Sequence, residues 1–270
     1  MAAKFWNEMT RDEISAAVGD AVVVIPTGAT EQHGPHLPTG HDTFTIAELA
    51  KRAAERASTD VPVIVLPALP FGSSSHHVPF GGTLTLQSET YYSVVRQLVI
   101  SVLDAGGSKI LLLNGHGGNQ EINQLVARDV VLEWQSMGLA ITVAAASYWD
   151  VARASLLKVP ELEGVRLPGH AGQFETSTLL AQLPELVRTP IAVRDEDPAE
   201  DFPVAGVRLE TGFAWQTFDG FTDFPHLATA ELGTKVWDII ARDVAAAIVA
   251  VAASGESQSR KKGFRRTSTG

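Results

Sequence analysis

The sequence predicts an α/β fold in which a parallel sheet is covered on both faces by helices. Three observations predict it. Uninterrupted apolar runs recur at residues 21–26, 61–66, 109–113 and 140–145; each is bounded by Gly, Pro or Asn; and amphipathic stretches at 44–57, 89–105 and 119–137 separate them. A strand buried on both faces is apolar at every position, whereas a helix lying on a sheet is apolar along one stripe. Regular alternation of the two patterns is the mark of βαβ crossovers.

Taken in order, Thr10 followed by Glu13 has the spacing of a capping box and starts a short helix. The first strand, Ala21 to Pro26, follows, with its helix from Phe44 to Ala57. The second strand, Val61 to Leu66, leads to a helix from Glu89 to Ala105, and the third, Lys109 to Leu113, to a helix from Asn119 to Met137. The fourth strand is Ala140 to Ala145. Residues 190–228 lack periodicity and are rich in Pro, Gly, Asp and Phe, so they are read as irregular segments with short strands, forming a wall of the pocket or a subunit contact. A final helix runs from Thr229 to about Ala253. With 270 residues, 45% of them hydrophobic, the chain can bury one substantial core, and residues 1–253 are read as a single domain. Residues 254–270 are polar and basic and are expected to form a disordered tail.

Twenty-one basic against 31 acidic residues give a formal net charge of -10, which disfavours nucleic acid and anionic membrane surfaces as partners and points to a small molecule. The absence of cysteine removes disulfides, thiolate metal sites and cysteine nucleophiles, and suits a cytoplasmic location. The first residues lack the pattern of a signal peptide, and no apolar run approaches the length of a membrane span.

In open α/β sheets, ligands bind beyond the carboxyl ends of the strands. The segments there are PTGATEQHGPHLPTGHD (26–42), PFGSSSHHVPFGGT (70–83) and NGHGGNQE (114–121); with GHAGQFET (169–176) they hold seven of the eight histidines, all but His226. Carboxylates accompany them, and imidazole with carboxylate is the donor set of zinc, manganese or iron(II). Two such ions need a bridging carboxylate. Glu31 and His33, two residues apart in an extended segment, point the same way and can each reach a different ion; Asp42 is the candidate bridge, and His116 stands among Gly115, Gly117 and Gly118, which permit close approach. NGHGGN lacks the Lys and Ser/Thr of a phosphate-binding P-loop, and no G-x-S-x-G elbow supports a serine nucleophile.

With these residues in place, the chain resembles the creatininase (creatinine amidohydrolase) family. Four ordered motifs carry the resemblance: G-x-x-E-Q-H-G-x-H-L-P with a following Asp at 28–42, G-x-S-x-x-H-x-x-F-x-G-T at 72–83, N-G-H-G-G-N at 114–119 and H-A-G-x-x-E-T-S at 170–177. The resemblance runs from about Phe5 to Ala250. It implies a three-layer αβα sandwich with a mostly parallel central sheet, two divalent metal ions per subunit (Zn, Mn or Fe), and a homo-oligomer, a hexamer built as a trimer of dimers.

By motif, Glu31, Asp42 and His116 resemble the ligands of one ion, and His33 with the shared Asp42 those of the other. Creatininase adds a glutamate two residues after the motif histidine, where this chain has Gly118; Glu175 is the expected replacement and Glu121 its rival. Ser74 and His77 match substrate-side positions, and His170 matches a substrate-contacting histidine. His170 is the expected proton donor to the leaving nitrogen, with Glu175 also assigned to catalysis, while His36 and His41 would orient the ligands. Gly117, where creatininase has an aromatic residue, and the Arg166–Leu167 region, where it has a tryptophan, point to a substrate other than creatinine. The expected reaction is hydrolysis of a C–N bond in a cyclic amide, formamide or related compound by a metal-bridging hydroxide. The alternatives are a metallopeptidase-like maturation enzyme acting on a modified peptide and a hydrolase of cyclic ketones.

Overall fold

The computed structural model describes residues 2–197 and 211–254. In chain order, the strands are β1 (Lys4–Phe5), β2 (Val22–Thr27), β3 (Val63–Val65), β4 (Lys109–Asn114) and β5 (Thr142–Ser147). The helices are α1 (Arg11–Ala17), α2 (His41–Ala57), α3 (Ser88–Asp104), α4 (Gln120–Ser136), α5 (Tyr148–Leu156), α6 (Gln173–Gln182), α7 (Ala214–Thr217) and α8 (Ala230–Ser254). All strand pairings are parallel, in the order β1-β3-β2-β4-β5.

The uninterrupted apolar character of β2 has a direct cause in the layers around it. Val22 and Val24 point into a core shared with α2, α5 and α8, while Val23 and Ile25 point into a second core shared with α3 and α4. The result is the expected three-layer αβα sandwich. At the start of α1 the expected capping box is formed: Thr10 Oγ1 accepts from Glu13 N–H at 3.4 Å, and Glu13 Oε2 accepts from Thr10 N–H at 2.7 Å.

Sequence reading missed four elements: β1, α5, α6 and the four-residue α7, which lies in the stretch expected to hold short strands, where none forms among the described residues. β1 is two residues long, too short for any periodicity, and is recruited to the sheet edge by pairing with β3. α5 starts immediately after β5 with no intervening turn residue. In α6 every residue from Gln173 to Leu179 is buried, so no polar stripe marks it as a helix. The long helix α8 clamps α6 from outside. Trp237 Nε1–H donates to Thr178 O at 2.9 Å, and Gly233 lies so close that a Cβ there would sit 1.8 Å from Ser177 O. The expected tail at 254–270 lies, apart from Ser254 at the end of α8, outside the described residues. Among the described residues no helix is long and apolar enough to cross a membrane.

β2 connects to β3 on one side and its other neighbour is β4, so the chain changes direction across the sheet at β2. The register runs from Val22 opposite Lys109 to Thr27 opposite Asn114, so β2 and β4 end level and their loops emerge side by side. That switch point is where an open α/β sheet leaves a crevice.

Candidate metal centre

The loop after β2 carries Glu31 and His33 and runs into α2, whose first residues are His41 and Asp42. Two residues beyond β4 stands His116. Its backbone is fixed by Asn114, whose Oδ1 accepts from His116 N–H at 3.1 Å and whose Nδ2 donates to His116 O at 2.7 Å. Asn119 ties three loops together, donating to Gly28 O at 3.0 Å and accepting from Ser73 N–H at 3.0 Å. Thus both asparagines of the NGHGGN motif are spent on holding the loops in register.

Asp42 is at the middle of the cluster. Its Oδ1 lies 3.0 Å from His33 Nε2, and its Oδ2 lies 3.2 Å from His116 Nδ1, which is itself 3.2 Å from Glu31 Oε1. Glu175, in the first turn of α6, brings Oε2 within 3.8 Å of His33 Nε2 and Oε1 within 4.0 Å of His41 Nε2. Among the described residues four donor groups result, and two of them share Asp42: Glu31, Asp42 and His116 on one side, and His33, His41, Asp42 and Glu175 on the other; Glu31 also groups with His76 and His77 and with His33 and His170. The rival Glu121 is exposed on the first turn of α4 and belongs to neither.

All these side chains are buried. Glu31 Oε2, His33 Nε2, Asp42 Oδ2 and both ring nitrogens of His41 make no hydrogen bond despite their proximity. Buried polar atoms are nearly always paired. Donors that converge without bonding one another are arranged as ligands around cations, and the all-N/O donor set suits zinc, manganese or iron. The residues therefore fit a metal centre.

Electrostatics agrees. Burial pulls the His33 imidazole down, but Asp42, with Glu175 and Glu31, carries it up to about 10. His116 is likewise lowered by burial and raised well above its ordinary value by Glu31 and Asp42. Burial pushes Glu175 up to about 8, against the pull of His33 and with the push of Asp42. These shifts record how strongly the buried carboxylates draw positive charge into the cluster, which a divalent cation would supply.

The substrate side is organised by Gln32. Its Nε2 donates to Gly220 O at 2.7 Å and to His77 Nδ1 at 2.8 Å, which leaves the His77 proton on Nε2, 3.6 Å from Glu31 Oε1. His170 Nε2–H donates to Gln32 O at 2.8 Å, which leaves the lone pair on Nδ1, 3.6 Å from Glu31 Oε1. These tautomers follow from the hydrogen-bond network. Burial, with charge on His33 and His77, holds His170 well below its ordinary value.

His77, Gly117 and His170 line a cavity of ≈ 80 Å³ together with Glu31, Asp42, His116 and Glu175. Ser74 does not line it; fully buried, its Oγ meets His116 Nε2 at 3.1 Å, behind the cluster. His36 also lies behind it, its Nε2 bonding Ala171 O at 3.1 Å and Thr176 Oγ1 at 3.0 Å. The adjacent glycines differ. A Cβ at Gly117 would meet nothing within 4 Å, whereas one at Gly118 would lie 2.0 Å from Ser73 O and 2.7 Å from His116 Nε2, so this backbone admits no side chain at 118.

Sequence reasoning named neither Trp215 nor Asp223. The Trp215 ring centroid stands 4.5 Å from that of His77 and 5.1 Å from that of His170, which puts this one residue of the 190–228 region in the cavity lining. Asp223 is buried and accepts from Gln173 N–H at 2.6 Å, seating the first turn of α6. The available signal was weak: a tryptophan and an aspartate in a stretch without periodicity.

A model of the creatininase family, described as creatinine amidohydrolase, matches residues 7–248. The creatinine amidohydrolase of Pseudomonas putida is 28% identical over 264 residues, covering 90% of this chain and 95% of its own. The mycofactocin precursor peptide peptidase of Mycolicibacterium smegmatis is 31% identical over 170 residues, covering 62% of this chain and 60% of its own. Among solved structures, a manganese form of creatininase superposes with a TM-score of 0.75 at 29% identity, covering 91% of this chain and 97% of that one. A mutant creatininase of Zn-Zn type superposes at 0.74 with 28% identity, covering 92% and 98%.

Proposed function

This chain belongs to the creatininase family, and from that premise we propose that it hydrolyses an amide-type C–N bond, other than a peptide bond, in a small molecule. Two divalent cations would be held by its own side chains: one by Glu31, Asp42 and His116, the other by His33, Asp42 and Glu175. The observation that carries this reading is the placement of Asp42, whose two buried oxygens face different donors, His33 on one side and His116 on the other. Bound there, such cations polarise a carbonyl and bring the pKa of water from about 15.7 to about 7.

The chain's own residues supply the rest. His170 offers the Nδ1 lone pair to the proton lost by the attacking water and returns that proton to the leaving nitrogen, with Gln32 O holding its other nitrogen in the required tautomer. His77 presents Nε2–H toward Glu31 and the cavity, a donor for the developing negative charge on the carbonyl oxygen. Ser74 and the Ser73 carbonyl receive His116 Nε2 and fix the direction of Nδ1, as partners behind a metal-ligating imidazole do. Trp215 lines the cavity beside His77 and His170 and gives it an apolar side. A cavity of ≈ 80 Å³ suits a compact substrate head group.

The test combines metal content with substrate class. Two divalent ions per chain are expected on metal analysis, and Asp42→Ala is expected to lose both. Amine release from cyclic amides and formamides is expected, without cleavage of short peptides. Two ions retained in Asp42→Ala would refute the shared carboxylate. Turnover of short peptides alone would place the chain with the peptidase that is 31% identical to it.

A further inference from the structure

His41 is a buried histidine whose partners the fold does not supply. It opens α2 directly before Asp42, is 1% exposed, and leaves both ring nitrogens without a hydrogen bond. His36, five residues earlier, is 0% exposed and leaves only Nδ1 unpaired, its Nε2 being bonded to Ala171 O and Thr176 Oγ1, whereas His41 has neither nitrogen bonded. Leaving a buried polar group unpaired costs about 1–3 kcal/mol. The surroundings of His41 contain no conventional acceptor or donor in place, but they do contain the cluster. Its Nε2 is 4.0 Å from Glu175 Oε1, its ring centroid is 4.8 Å from that of His33, and the donor atoms of His33, His41, Asp42 and Glu175 all lie within 4.8 Å of one another. With metal–ligand bonds of about 2.0–2.2 Å, two ligands of one ion stand at most about 4.4 Å apart, so the 4.0 Å separation is one that a single cation spans.

We propose that His41 is a fourth protein ligand of the cation held by His33, Asp42 and Glu175, making that position coordinatively closed, while the Glu31, Asp42 and His116 position keeps an open place for substrate. This deepens the two-cation reading above and rests on it. Four protein donors are the pattern of structural zinc sites, and three donors with an open place that of catalytic ones. The open group is also the one that the functional imidazoles face: His77 Nε2 and His170 Nδ1 each stand 3.6 Å from Glu31 Oε1. The two cations are therefore unequal. One is locked in by α2 and α6, and the other exchanges and meets substrate.

The experiment is a cobalt(II) titration of metal-free wild type and His41→Ala, read by visible absorption, by competition with a chelator, and by the paramagnetically shifted, solvent-exchangeable ring N–H resonances. Wild type is expected to bind a tight first and a weaker second equivalent and to show three such resonances, from His33, His41 and His116. In His41→Ala the tight phase is expected to weaken by more than about 100-fold, beyond the roughly 10–100-fold effect of a partner behind a ligand, and one resonance disappears. The resonance count on wild type alone decides the matter if the variant does not fold. Two resonances in a wild type that binds two equivalents would overturn the assignment of His41 and leave the two-cation reading standing. No cobalt binding by wild type would overturn both.

Discussion

Two walls face each other across the cavity, and they are built differently. One carries Glu31, Asp42 and His116, brought together by the loops that leave β2 and β4 where those strands end level and by the first turn of α2, with His33 and His41 grouped beside Asp42. The other carries His170, Glu175 and Trp215 and is held by polar contacts between residues distant in sequence. Gln173 N–H donates to Asp223 Oδ1 at 2.6 Å, Thr222 N–H to His170 O at 2.9 Å, and Arg188 N–H to His36 O at 2.8 Å. The first wall converges buried donors at one point. The second can change residue by residue without disturbing the sheet, which makes it the natural place for substrate selection. Glu175 crosses that division, standing on the adjustable wall within reach of His33 and His41, in a helix seated by the buried Asp223 and clamped by α8.

His170→Ala should produce the largest effect, striking the second wall at its proton-handling atom. Turnover is expected to fall by about 10²–10⁴-fold, the usual worth of a positioned acid or base, with both cations retained on metal analysis. Loss of a cation from this variant would break the contrast, because the second wall would then hold cations through His170 as well. Gly118→Ala strikes the first wall. Its Cβ would lie 2.0 Å from Ser73 O, and the overpacking should cost about 3 kcal/mol in urea denaturation together with weakened cation binding through His116. Gly117→Ala, meeting nothing within 4 Å, should stay within about 0.5 kcal/mol of wild type. Equal losses at the two glycines would mean the first wall yields as easily as the second. Asp223→Ala sharpens the comparison at the smaller end: it strips the acceptor from Gln173 N–H and Phe224 N–H and should cost about 1–3 kcal/mol. It should raise KM and loosen the cation held by Glu175, while the one at Glu31, Asp42 and His116 keeps its affinity. An even loss of affinity at both positions would show that the walls do not act separately.

The two walls also differed in how far they could be read in advance. Glu31, His33, Asp42 and His116 sit immediately beyond apolar runs, where strand-end loops gather ligands, and their chemistry was visible without any structure. His170 and Glu175 entered through motif resemblance, since α6 is buried all round and carries no helical pattern. Trp215, Asp223 and the two-handed role of Gln32 had no local signature. Each acts through a contact spanning from 45 to 188 residues of chain, as with Asp223 to Gln173 and Gln32 to His77 and Gly220, and such pairings leave no trace in spacing.

By itself the sequence determined the sandwich, because apolar periodicity depends on which faces are buried, and it determined the donor types, because the residues that bind cations are chemically few. Tertiary structure decided the rest. It set the two oxygens of Asp42 toward different neighbours, placed Glu175 in the cluster and Glu121 outside it, left His41 unpaired against the cluster and turned Ser74 behind His116. The reason is one of range: hydrophobic patterning is a property of neighbours along the chain, while a coordination shell is fixed by directions in space to within tenths of an ångström, which only the packed fold supplies.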